Sequence, residues 1–139
     1  MVDFYDDAFR QTATYSKFIR ENPDSAILNI RTSAANEAIP ISGVRIVVSK
    51  TIDNYKVIFY DGVTDNSGMI NNISLPTPAI VNNDLDIPNS TLYDIEAIYE
   101  VDNIDRFYKV LMYPGIRVIQ NINIVPILQV SEEVLKYGS

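Results

Sequence analysis

The chain contains no cysteine, no histidine and no tryptophan, and only five glycines in 139 residues. Without cysteine there is no disulfide framework, no thiolate metal site and no thiol nucleophile. Without histidine there is no imidazole base, which excludes Ser-His-Asp and Cys-His mechanisms and nearly every transition-metal site. Zinc would have to rest on carboxylates alone, a rare arrangement. Long apolar runs are missing too, since "VRIVV" and "IVPIL" are far too short to span a bilayer. The start, "MVDFYDDAF", is acidic and lacks the basic-then-apolar order of a signal peptide, so the chain reads as cytoplasmic at synthesis. Basic residues are scarce as well: 11 Lys and Arg stand against 18 Asp and Glu, a formal charge of −7. Such a surface repels phosphate backbones and anionic membranes, so neither nucleic acid nor membrane is an expected partner. The chemistry left open is that of carboxylate pairs, lysine, tyrosine and oxygen-ligated calcium or magnesium. No cofactor is expected.

What is present fits one domain with a modest appendage, with 47% apolar residues and room for a core without staples. Residues 3–21 carry a helical period. Phe4, Phe9, Tyr15, Phe18 and Ile19 fall on one half of the wheel, and Asp6, Asp7, Arg10, Lys17 and Arg20 on the other. Asp3 is placed to cap the start, Lys17 and Arg20 lie in the last turn, and Asn22–Pro23 stops the helix. After Pro23 strand-like runs recur about every 8–12 residues: 25–33, 43–50, 55–63, 68–75, 91–100, 106–113 and 116–127. Ala26, Leu28 and Ile30 alternate inward, as do Val44, Ile46 and Val48, and then Tyr93, Ile95, Ala97 and Tyr99. "GMINNISL" is polar, as edge strands tend to be. The short turns "VDNID" and "PG" imply hairpins, and no crossover helix follows residue 24. The expectation is an all-β fold, a seven-strand antiparallel sandwich behind an amphipathic helix. Residues 1–23 form the helix, 24–130 the sandwich and 131–139 a tail.

Few constellations invite chemistry. "DGVTDNSG" offers Asp61, Asp65 and Asn66 as oxygen donors, but their spacing departs from a calcium loop of the EF-hand kind. The stretch reads as a turn in which Asn66 and Gly68 tolerate positive φ, with a weak cation site as the alternative. The segment 76–91, with three prolines, is too long for a hairpin, and its "NNDLD" sets Asp84 and Asp86 in what reads as a solvated loop, with calcium or a protein partner as the alternatives. Tyr93 and Tyr113 are candidates for an exposed aromatic face, against ordinary packing. No acid sits where catalysis would need it, so no catalytic residue is expected. Phe4, Phe9, Tyr15 and Phe18 need cover, either from the sandwich or from a partner or second copy.

"SGVRIVV", "TDNSG" and "YDIEAIY" resemble the carboxypeptidase-regulatory-like domain, a transthyretin-like sandwich of about seven strands. Over residues 26–127, "IPISGVRI", "TDNSGMINNISLPTP", "LYDIEA" and "PGIRVIQNINIVPI" are similar to the β-domain of clostridial spore-cortex-lytic and peptidoglycan-binding proteins. The resemblance implies a transthyretin- or immunoglobulin-like sandwich that is non-catalytic and accompanies hydrolase or wall-binding modules. The chain departs from that pattern in its N-terminal helix and in "VDNIDRFY" after "YDIEAIYE". The functional expectation is a structural or protein-interaction module of a Firmicute, in spore, cell-wall or phage assembly. It would bind a protein or itself through the helix. The alternative is a carbohydrate- or peptidoglycan-binding module that uses its tyrosines.

Overall fold

The structure, a computed structural model, describes residues 2–4, 10–35, 37–80 and 89–125. Seven long strands occupy the seven expected runs: β2 (Asp24–Ala34), β4 (Arg45–Ile52), β5 (Tyr55–Val63), β6 (Met69–Thr77), β7 (Thr91–Tyr99), β8 (Ile104–Met112) and β9 (Arg117–Asn123). Two short ones, β1 (Val2–Phe4) and β3 (Ile39–Pro40), extend the sheets. The five-stranded sheet has the order β1-β5-β4-β7-β8. In the second sheet β2 is central, flanked by β6 and β3 and, in parallel, by β9. The two layers make an all-β sandwich.

Alternation decides which side chains meet between the sheets. Ala26, Leu28 and Ile30 of β2 face Ile46 and Val48 of β4 and Tyr93, Ile95 and Ala97 of β7, all at most 1% exposed. The inward phase of these strands is thus apolar, while the outer phase carries most of the charge, Arg31, Arg45, Asp94 and Glu96, with Val47 buried among it. Leu75, Met112 and Ile122 complete the centre of the same cluster.

Two elements depart from the sequence expectations. The helix does not begin at Asp3: α1 spans Ala13–Glu21, capped by Thr12, whose Oγ1 accepts from the Tyr15 amide at 3.3 Å. Residues 2–4 instead pair in parallel with Tyr55–Val57 at the edge of the large sheet. Apolar and aromatic residues suit a strand as well as a helix, and an open strand edge supplies hydrogen bonds that three residues of isolated helix lack. The stop at Asn22 is as expected, its N–H donating to the Ile19 carbonyl at 3.1 Å. Secondly, the Pro114–Gly115 turn does not close a hairpin. It carries the chain from β8 across to the other sheet, where β9 runs parallel to β2 from Ile27↔Arg117 to Ser33↔Asn123. The turn expected at 64–68 is present and makes a second sheet crossing, from β5 to β6.

That second crossing is tightly built. The carboxylate of Asp65 accepts from the amides of Ser67 and Met69 at 2.9 and 3.0 Å, and the Gly68 amide donates to the Asp65 carbonyl. Gly68 has φ +72, and its carbonyl takes the Thr32 amide at 2.7 Å. A Cβ here would lie 2.3 Å from the Thr32 carbonyl oxygen. Gly43, at φ +79, has open space around it. Gly68→Ala should therefore cost about 2–4 kcal/mol and Gly43→Ala about 1 kcal/mol in chemical denaturation. Equal losses would mean that the approach to Thr32 contributes nothing.

Candidate interaction surface

The N-terminal helix belongs to the core. Phe18 is buried and its ring lies 5.9 Å from that of Phe59, which meets Tyr93 edge-on at 5.4 Å, while Tyr15 stands 6.3 Å behind Phe18. Phe59 is the extra residue of a bulge in β5, where Val48↔Tyr60 is followed by Ser49↔Ile58. A bulge disrupts the ladder locally, and Arg10 answers it: Nη2 donates to the Ile58 carbonyl at 2.8 Å, with the guanidinium over the Tyr15 and Phe59 rings. Asn22 and Thr91 join their side chains by a hydrogen bond, which ties the helix end to β7.

The expected site residues are thus dispersed. Phe18 is in the core and Tyr15 packs against it, so neither is an open docking residue. Phe4 lies in β1, while Phe9, Asp84 and Asp86 lie outside the described residues. Tyr93 corrects the idea of a two-tyrosine face, because it is fully buried and its hydroxyl donates to the Pro76 carbonyl. Its inward phase on β7 leaves no alternative, and burial raises its pKa well above the ordinary tyrosine range. Beside it Lys50 donates to the Leu92 carbonyl at 2.9 Å, its pKa lowered by burial against the pull of Asp94. Tyr113 is exposed, beyond the end of β8.

A more coherent surface lies on the outer face of the large sheet. The residues of opposite phase to the core gather there: Arg45, Ser49 and Thr51 of β4, Lys56 and Asp61 of β5, Asp94 and Glu96 of β7, and Asp105, Phe107 and Lys109 of β8. Arg45 grips Asp61 with two hydrogen bonds of 3.0 and 2.7 Å, which lowers the Asp61 pKa. Lys109, directly across from Asp94, reaches it at 2.6 Å. Lys56 stands 3.9 Å from Glu96 across the width of β4. A shallow concavity of about 510 Å³ opens between these groups, lined by Ser49, Thr51, Lys56, Glu96 and Phe107 among others.

Two features of this face are unbalanced. Burial, and then the hydrogen-bonded carboxyl of Asp105, push the Glu96 pKa upward against the pull of Lys56. Phe107, opposite Glu96 on β8, is 71% exposed, more than any other large apolar side chain within a strand. Sequence reasoning passed over Asp105, Phe107 and Lys109. The sequence held only the spacing: in "DRFYK" an acid two residues before the aromatic and a base two after share one face of a strand, without saying which face.

Fold and surface together define an all-β sandwich whose larger sheet carries charge pairs on its outer face and, among the described residues, ends at β8. No protein-family model matches the chain, and no curated protein matches it in sequence. Solved structures do. The crystal structure of (S)-allantoin synthase is similar with a TM-score of 0.51 and 9% identity, over 81% of this chain and 45% of that one. Transthyretin from Sparus aurata is similar with a TM-score of 0.49 and 16% identity, over 71% of this chain and 88% of that one.

Two expectations follow. Phe18→Ala should destabilise the domain by about 3 kcal/mol or more in denaturant unfolding, as for other buried aromatics. A loss below about 1 kcal/mol would show the helix to be an external attachment. Glu96 has a raised folded-state pKa, so its penalty is absent below the unfolded pKa and grows as pH rises through the folded one. Glu96→Gln should thus gain stability relative to wild type as pH rises from about 4 to neutrality. Parallel stability–pH curves would show that neither burial nor the Asp105 carboxyl raises the Glu96 pKa.

Proposed function

We propose that this chain is a non-catalytic structural or protein-interaction module that takes a partner strand along the outer edge of β8. The supporting observation is that edge. It runs nine residues in unbroken register with β7, from Thr91↔Met112 to Tyr99↔Ile104, without proline, glycine or bulge. An edge strand presents unpaired N–H and C=O groups, and natural sheets blunt the edges they do not use. Proline, bulge and short length serve that end elsewhere in this molecule, whereas of such devices β8 carries only charges, at Asp105, Arg106 and Lys109. β6 carries Pro76 and a bulge at Asn71–Asn72, with Asn72 at φ +66, and β1 is only three residues long. β9 leads on into residues outside the described ones. Strand addition draws affinity from main-chain hydrogen bonds and specificity from alternate side chains. The outward residues Phe107 and Leu111, both exposed, are suited to the second task.

The N-terminal helix is no longer the favoured contact, since its aromatic residues Tyr15 and Phe18 pack in cis. The spore, wall or phage setting implied by the motif resemblance is part of this proposal. A glycan ligand would now have to use Phe107 in place of the buried Tyr93.

Amide exchange on dilute, monomeric protein tests the reading. Alternate β8 amides, those pointing away from β7, should exchange on the order of a hundredfold or more faster than the amides of β7. Uniform protection of β8 in a monomer would mean that the chain covers this edge itself, and would overturn the proposal.

A further inference from the structure

We infer that the strand β8 receives is β8 of a second copy, antiparallel, with the twofold axis passing through Phe107. This rests on the edge reading above and adds the identity of the partner. In an antiparallel pair, directly opposite residues share a face of the sheet. With the axis at Phe107, Asp105 of one copy lies opposite Lys109 of the other, Phe107 opposite Phe107, and Lys109 opposite Asp105. All are on the outer face, where the register with β7 already places them.

Neighbouring registers do worse. An axis at Tyr108 sets Asp105 against Leu111 and Phe107 against Lys109. One at Lys109 sets lysine against lysine, and one at Asp105 sets acid against acid. An axis between two residues would bring inward residues to the outer face, exposing Tyr108 and Val110, which belong to the core cluster or pack against it. Only the Phe107 register satisfies both charges and covers the exposed ring.

Each copy supplies a reason to accept the other. Among the described residues no lysine or arginine forms an ion pair with Asp105, which instead stands against the Glu96 carboxyl. The Lys109 side chain is 67% exposed even while it holds Asp94, so donors remain for a second carboxylate. On the inner face the same register places Arg106 opposite Tyr108 and Ile104 opposite Val110, with no like charges opposed. Pairing would continue the five-stranded sheet into its twin and remove the open edge from both.

Sedimentation equilibrium of the full chain across micromolar to millimolar concentration, with amide exchange on the same samples, decides this. Wild type should dimerise with concentration, and protection should grow selectively in β8. Asp105→Lys opposes lysine to lysine twice at the axis and should weaken the dimer roughly ten- to thirtyfold. Adding Lys109→Glu should restore it to within about threefold, a rescue that a merely structural role would not give. Phe107→Arg, at an exposed position that leaves the fold intact by circular dichroism, should abolish it. A chain that stays monomeric at millimolar concentration with fast-exchanging β8 amides overturns the second copy and leaves the edge reading standing. Protection of β8 in the monomer overturns both. A dimer indifferent to Asp105→Lys and Phe107→Arg overturns this inference.

Discussion

Burial of the inward side chains of β2 against the large sheet constrains nearly everything else in the molecule. Ala26, Leu28, Ile30 and Thr32 are at most 1% exposed, and the strand is hydrogen-bonded along both sides, to β6 and β3 on one and to β9 on the other. A one-residue slip would turn that whole set to solvent, so the register of its neighbours follows from it. To reach β2 in parallel, β9 must arrive from the opposite sheet, which is the work of the Pro114–Gly115 turn. The consequence falls on β8. Its successor leaves the sheet, and among the described residues β8 keeps only β7 as a partner.

The open end of the sandwich near Tyr93 is closed by the chain's own N-terminal region. The rings of Tyr15, Phe18, Phe59 and Tyr93 form a continuous series, with the bulge in β5 turning Phe59 toward the helix. Arg10 binds the bulge carbonyl while lying over two of those rings, so one side chain satisfies a polar group and adds to the apolar cover. This is why the aromatic stripe of the helix has little left to offer a partner. The proposed contact therefore lies on the large sheet, whose outer face carries charge pairs that are exposed and individually worth little. In the proposed pairing their value would lie in register and specificity, since like charges set opposite one another disfavour a wrong alignment.

Much of the fold was legible in local pattern. The seven long strands lie where alternation placed them, because a half-buried strand writes its two faces directly into the sequence as period two. The "TDNSG" stretch was legible as a turn for an equally local reason: the Asp65 carboxylate serves amides two and four residues ahead. The surface was less legible. Phe107 looked like any other aromatic in a strand until β7 fixed its phase, whereas the alternation of Tyr93 already pointed inward and was at odds with its place in an exposed aromatic face.

The sequence by itself determined that this is an all-β chain without thiol or imidazole chemistry, where its long strands run, and where the helix stops. Those properties rest on composition and on interactions spanning a few residues. Tertiary structure alone decided that residues 2–4 pair with β5, that β9 lies parallel to β2, that Phe18 is core, and that β8 pairs with β7 alone among the described residues. Each of those depends on which strand stands beside which. Pairing of that kind is settled by the closure of one shared core, and no short window of residues encodes it.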